Sequence, residues 1–258
     1  MSDQPGSWVP PVTPAEPEPA RTGEFSGNAA ARLVGAFISP GRTFAELAIS
    51  PTFVLALLVM VVLAFAGHFV ITPRIDFEAT LRTAIADNPQ AAERLPEDRI
   101  AENAATQANV TKIWGYTIPV TVPVMLLVIA GVYFLGLKVA GSTAEFRPVF
   151  AGVLHATLPP SAISGVLLSV VASRRGSFAA QELESMLKSN VGAFLDPETP
   201  EFFMTLARSI DVFNVWLWIL LALALAAVGK VSRGTAAGLV AVVWGLWVIG
   251  KAALAVAF

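Results

Sequence analysis

Five stretches of this chain carry no Asp, Glu, Lys or Arg over lengths that can cross a bilayer. They run from Leu47 to Pro73 (27 residues), Ile113 to Leu137 (25), Pro148 to Ser173 (26), Val212 to Gly229 (18) and Gly234 to Gly250 (17). The last continues beyond Lys251 through AALAVAF. About 20 apolar residues in helical form cover roughly 30 Å of hydrocarbon. A backbone amide left unpaired in lipid costs several kcal/mol, so a spanning segment must be a helix or belong to a closed barrel. The runs lack the period-two alternation of barrel strands. The expected fold is therefore all-α, a polytopic transmembrane helical bundle. Its five spans fall at about 51–72, 113–137, 148–172, 211–229 and 234–257, with short interfacial and extramembrane helices between them.

Composition narrows the function classes. Only 14% of the 258 residues are charged, against roughly a quarter in a soluble domain. A net charge of -2 offers no concentrated cationic surface for a phosphate backbone, so no nucleic-acid partner is expected. The chain has no cysteine, which removes disulfides, thiolate metal ligands and cysteine nucleophiles. The first apolar run starts after 46 residues and is too long for a signal peptide, so the N-terminus is expected to be retained. Residues 1–28, rich in Pro, Gly, Ser and Glu, read as a disordered tail, and 29–258 as the membrane domain.

Basic residues set the expected orientation, because short cytoplasmic loops concentrate Lys and Arg. Lys138, Arg147, Lys230 and Arg233 crowd the linkers 138–147 and 230–233. The long connections 74–112 and 174–211 carry nine basic residues in 77 positions and are each net -2. The short linkers and the N-terminus are accordingly placed on the cytoplasmic side of the cell membrane, and five crossings put the C-terminus outside. Arg174 and Arg175, directly after the third span, run against this rule.

The connections show their own periodicity. Leu33, Phe37, Phe44 and Leu47 recur at helical spacing around the Pro40-Gly41 turn, which predicts two short helices in the headgroup region, with Ser39 as N-cap of the second. Phe77, Leu81, Ala84 and Ile85 fall on one helical face, and PEDRIAENAATQANVTKIW predicts a polar helix leading into the second span. A helix from about Ser177 to Phe194, a DPETP break and a short helix after Pro200 are expected next. These long connections are expected to cap the outer ends of the bundle.

Helices in lipid associate through close packing of small residues. Gly234, Gly238, Ala241, Gly245 and Ala252 form such a stripe, matched by Ala222, Ala226 and Gly229, which predicts a tight hairpin of spans four and five. Lys251 lies inside an apolar run and needs a partner or a route to water. Asp211 reaches a similar depth, leaving open an Asp211–Lys251 ion pair or snorkelling of the lysine. Pro119 and Pro123 are expected to break the second span, and Pro159 and Pro160 the third, at one depth beside His155. Thr117, Thr121, Ser161 and Ser164 stand near enough to bond the freed backbone groups.

Broken helices around a histidine are what a small transporter or channel component needs, and that is the alternative function; a kinked pair satisfied internally is the simpler explanation. Spans one to three hold no Asp or Glu for a proton or ion relay. His68 and His155 are too far apart for a metal motif, and no GxSxG, P-loop or GxGxxG pattern stands out. No catalytic, cofactor-binding or metal residue is therefore assigned, no cofactor is expected, and the chain is not read as an enzyme. Trp114, Trp216, Trp218, Trp244 and Trp247 serve as interface anchors or lipid-facing bulk.

Four segments taken in order carry a resemblance. They are ISPGRTFAELAISP before span one, GLKVAGSTAEFRPVFAGVLHATLPP from span two into span three, SIDVFNVWLWILLALAL opening span four, and the four-residue basic linker into a terminal Trp-containing span. Together they resemble the bacterial branch of the Yip-domain family (Yip-one, Ypt/Rab-interacting-protein-like membrane proteins) over roughly residues 30 to 256. The resemblance implies a five-span helical bundle with a cytoplasmic N-terminus, acting through contacts with the lipid bilayer, with other membrane proteins or with a second copy of itself. Eukaryotic relatives bind small GTPases and shape or traffic membranes. The DLYGP motif that precedes their first span is missing here, so small-GTPase binding is not carried over. Arg outnumbers Lys twelve to five, in keeping with a bacterial source.

Overall fold

The computed structural model describes residues 28–87, 95–196 and 198–257, so the tail expected over 1–28 lies outside the described residues apart from Asn28. The described residues form nine α-helices and no strand. They are α1 (Ala29–Ile38), α2 (Pro40–Ile49), α3 (Val54–Ile71), α4 (Phe77–Asp87), α5 (Ile100–Val139), α6 (Phe146–Arg175), α7 (Glu201–Ser209), α8 (Val212–Gly229) and α9 (Arg233–Ala257). Five of them, α3, α5, α6, α8 and α9, are long and apolar enough to cross a membrane. The end of the bundle carrying α1 and α2 is called proximal below, and the end carrying α4 and α7 distal.

α6 is the axis around which the other helices pack: α3, α5 and α8 all lie against it. Its proximal half is apolar on every side and rich in small residues, so neighbours approach from all directions. Every residue from Val149 to Ala156 is buried. Gly152 sets the closest approach, because a Cβ built there would stand 3.1 Å from Val228 of α8. The distal half of α6 turns Ile163, Val166, Leu167 and Val170 outward, as do many apolar residues of α3, α5, α8 and α9. An apolar exterior around a packed interior is the arrangement a lipid solvent favours.

The proximal helices are not laid loosely on the bundle. Asn28 accepts the Ala30 amide and caps α1. α2 packs against α8 and α6, and Phe44 and Leu47 are fully buried, whereas Phe37 is partly exposed. The apolar face expected to lie in the headgroup region is thus spent on protein contacts. Pro40 occupies the first turn of α2, but the Ser39 side chain makes no cap bond; its carbonyl accepts the Thr43 hydroxyl instead. The α5–α6 linker is tied down by buried Ser142, which donates to the Gly229 carbonyl at 2.6 Å and accepts the Ala144 amide at 3.1 Å.

α5 has 40 residues, about 60 Å of helix, twice what hydrocarbon requires. The polar helix expected before the second span is therefore the same helix as the span. Its distal turns stand beside α4, where Ile100 and Ala104 are buried.

The stretch from 177 to 194 is not one helix. It consists of two short 3-10 segments, Ala180–Glu184 and Val191–Phe194, because its polar groups are recruited by other elements. Phe178 exchanges backbone bonds with the other long connection, donating to the Arg74 carbonyl and accepting the Asp76 amide. The Ala180 amide donates to the Thr80 hydroxyl. Phe178, Ala172 and Met186 make a small distal core with Ile71, Ile75 and Leu168. The two long connections thus close over the distal end together.

Candidate functional site

His155 sits in the buried proximal half of α6, 2% exposed, and its Nδ1 donates to the Ala151 carbonyl at 2.9 Å within the same helix. It borders a cavity of about 390 Å³ between the start of α3 and α6, which is also lined by Thr52, Phe53 and Arg147. Arg147 stands 5.9 Å from the centre of the Phe53 ring. Near it lies Arg32 of α1, only 5% exposed. Arg32 donates to the Ser50 carbonyl at 2.7 Å and the Thr52 hydroxyl at 3.1 Å, and its Nε lies 3.6 Å from Glu46. A buried guanidinium needs such partners, since its desolvation is otherwise uncompensated. One signal marks it in the sequence: α1 buries Arg32, Gly35 and Ala36, the small residues following at one helical turn. Gly35 lets α2 approach so closely that a Cβ there would collide with the Thr43 hydroxyl.

The prolines do not break their spans. α5 runs unbroken through Pro119 and Pro123, and α6 through Pro159 and Pro160. The carbonyls that the prolines free are those of Gly115, Pro119, His155 and Ala156, whereas Thr117 donates to Trp114, Thr157 to Val153 and Ser164 to Ser161, so these hydroxyls do not replace the lost bonds. Pro159 and Pro160 are buried, and the helix continues through them despite the lost bonds. The unwound backbone that a transporter site uses is absent from these described spans.

Asp211 and Lys251 do not pair. Asp211 is the N-cap of α8, its Oδ1 accepting the Phe213 amide at 2.7 Å, and its Oδ2 accepts the Ser189 hydroxyl. Lys251 instead stretches distally to Glu184, with Nζ 3.5 Å from Oε1, and Arg208 approaches the same carboxylate at 3.8 Å. The N-cap geometry occupies the aspartate, while the loop between α6 and α7 supplies a carboxylate within reach of the lysine. Glu184 carried no sequence signal, because its loop was expected to be helical.

α9 does pack against α8, but not through the glycine stripe. A Cβ at Gly238 or Gly245 would meet nothing within 4 Å, and at Gly234 only the neighbouring Ser232 hydroxyl at 3.7 Å. The residues turned inward are Ala236, Val240 and Val248, joined by Ala252 alone of the expected stripe, and the hairpin is fastened by Trp218 and Trp244, whose ring centres lie 4.4 Å apart. Helical period explains the error: the glycines and the buried residues are two interleaved stripes on one apolar helix. Glycines that do set close approaches between spans include Gly136 against Leu239, Gly152 against Val228 and Gly229 against Leu137. Trp114 and Trp247 are largely exposed.

At the distal end α3, α5 and α6 part to leave a groove of about 830 Å³. His68, at its border, lies 3.3 Å from the Thr72 hydroxyl. Among the described residues no group of three His, Cys, Asp or Glu side chains stands close enough to hold a metal ion. In comparison with known proteins, residues 34–254 match the family model described as Yip1 domain. No curated protein and no solved structure matches.

Proposed function

The chain belongs to the Yip1-domain family, and from that membership we propose that it works without catalysis, through protein or lipid contacts in the cytoplasmic membrane. In this reading it organises the bilayer or proteins within it, with its N-terminus and proximal helices in the cytoplasm and its C-terminus outside. The single observation that supports this best is how the interior polar groups are spent. His155 bonds its own helix, Arg32 fastens α1 to the entrance of α3, and Asp211 caps α8. Groups engaged in holding helices together are poorly placed to carry a substrate through the bundle, and the unbroken α5 and α6 weigh the same way. The outward faces remain large, apolar and available for partners.

Purified protein reconstituted into liposomes with an entrapped pH- or ion-sensitive dye provides the test. The expected result is no flux above that of empty vesicles. A flux abolished by His155→Ala would overturn the proposal in favour of a transporter or channel component.

A further inference from the structure

The groove between α3, α5 and α6 is built like half of a lipid's surroundings. From Ser161 to Arg174 it follows α6 for 14 residues, about 20 Å at the helical rise, which is on the order of one leaflet of hydrocarbon. Its walls are apolar, formed by Leu63, Ile118, Val122, Val166 and Val170 among others. Its volume of about 830 Å³ falls in the range of roughly 300–1,000 Å³ that ligand sites occupy. A crevice open to acyl chains at this depth fills with one.

Its donors determine what kind of head accompanies that chain. Two of the three serine hydroxyls along the groove spend their protons on their own helix, Ser169 on the Gly165 carbonyl and Ser173 on the Ser169 carbonyl, both at 2.7 Å, leaving Ser161 and His68 as its neutral polar groups. No Asp or Glu lines it. Arg174, at the distal mouth, makes no hydrogen bond or ion pair with any described residue, whereas its neighbour Arg175 is engaged with Glu182 at 3.1 Å. A guanidinium carries five N–H donors in a fork suited to phosphate oxygens. Placed where α6 reaches the headgroup level, it complements a negative head.

We infer that this groove is a binding site for one anionic phospholipid, its acyl chain seated between α3 and α6 and its phosphate held by Arg174. The inference rests on the proposal that the chain acts through membrane contacts, and goes further by naming the lipid class and the residues that select it. A zwitterionic phospholipid is disfavoured because its own ammonium already faces its phosphate.

Native mass spectrometry of the full chain, released from micelles containing equal phosphatidylglycerol and phosphatidylcholine, reads the selectivity. One retained phosphatidylglycerol is expected, favoured over phosphatidylcholine by about tenfold, as a charge-assisted hydrogen bond pair implies. Arg174→Gln should reduce that preference to near unity. Gly165→Phe should remove the retained lipid, because a Cβ at Gly165 meets nothing within 4 Å and the ring has open groove to fill. Gly131→Phe, at an equally open position on another helix, should retain it. Equal retention of both lipids by the unaltered protein, or phosphatidylglycerol retained undiminished by Arg174→Gln, overturns the site. If Gly165→Phe does not fold, Arg174→Gln decides alone. The liposome flux result is independent of these outcomes, so failure of the lipid site leaves the broader proposal separately measurable.

Discussion

Arg32 reaches the carbonyl of Ser50 at 2.7 Å across the whole of α2, tying the first helix to the entrance of the first span. The same guanidinium takes the Thr52 hydroxyl and faces Glu46, so one side chain closes the proximal end over α3 and α6. Arg32→Ala removes two hydrogen bonds made by a charged donor, to the Ser50 carbonyl and the Thr52 hydroxyl, which costs about 1–3 kcal/mol, while Glu46 keeps its pairing with Arg42. Arg32→Lys should recover only part of this, since a single ammonium cannot reproduce the fork. Thermal unfolding in detergent, followed by tryptophan fluorescence, should rank the three proteins native, Lys, Ala. An unchanged melting temperature in Arg32→Ala would remove Arg32 from the account of the proximal end.

Two glycines separate packing from mere smallness. Gly152 lies against Val228 and Ala224, a stiff β-branched neighbour that cannot swing aside. Gly152→Leu is therefore expected to destabilise by about 1–3 kcal/mol or to prevent folding. Gly238 faces open space, so Gly238→Leu should stay within about 0.5 kcal/mol of the original protein. The same unfolding measurement checks both; greater damage from Gly238→Leu would restore the glycine stripe as the α8–α9 contact.

At the distal end the prediction concerns which acid serves which role. Asp211→Ala removes the α8 cap and should cost about 1 kcal/mol. Glu184 and Lys251 are both roughly half exposed, so their coupling in a double-mutant cycle should not exceed about 1 kcal/mol. Glu184→Lys with Lys251→Glu should behave better than either change alone. Rescue by Asp211→Lys with Lys251→Asp instead would reinstate the pairing that the cap geometry rejects.

Much of the architecture is readable from where charge is missing. The uncharged tracts predict five helices because a bilayer leaves a chain that apolar no other way to satisfy its backbone. What the tracts do not reveal is which face of each helix meets which neighbour. In α9 every face is apolar or small, so the periodicity that sorts a soluble amphipathic helix cannot separate Gly238 from Ala236. Composition also overstated the prolines: Pro159 and Pro160 are buried in α6, a helix whose packing neighbours include α3 and α8, distant in sequence. Arg32 and Glu184 were missed for a related reason: each is defined by a partner on another element. The resemblance carried by ISPGRTFAELAISP and the segments after it needed none of this detail, and the family match over 34–254 agrees with it.

That each long uncharged helix crosses the bilayer is the central claim, and labelling on either side of α8 tests it directly. The chain has no cysteine, so single cysteines can be introduced at Lys230, in the proximal linker, and at Glu198, in the distal connection; both positions are exposed. An impermeant maleimide applied to intact cells should modify Glu198→Cys at once and Lys230→Cys only after the membrane is opened. Both cysteines labelling from the same side would contradict five spans.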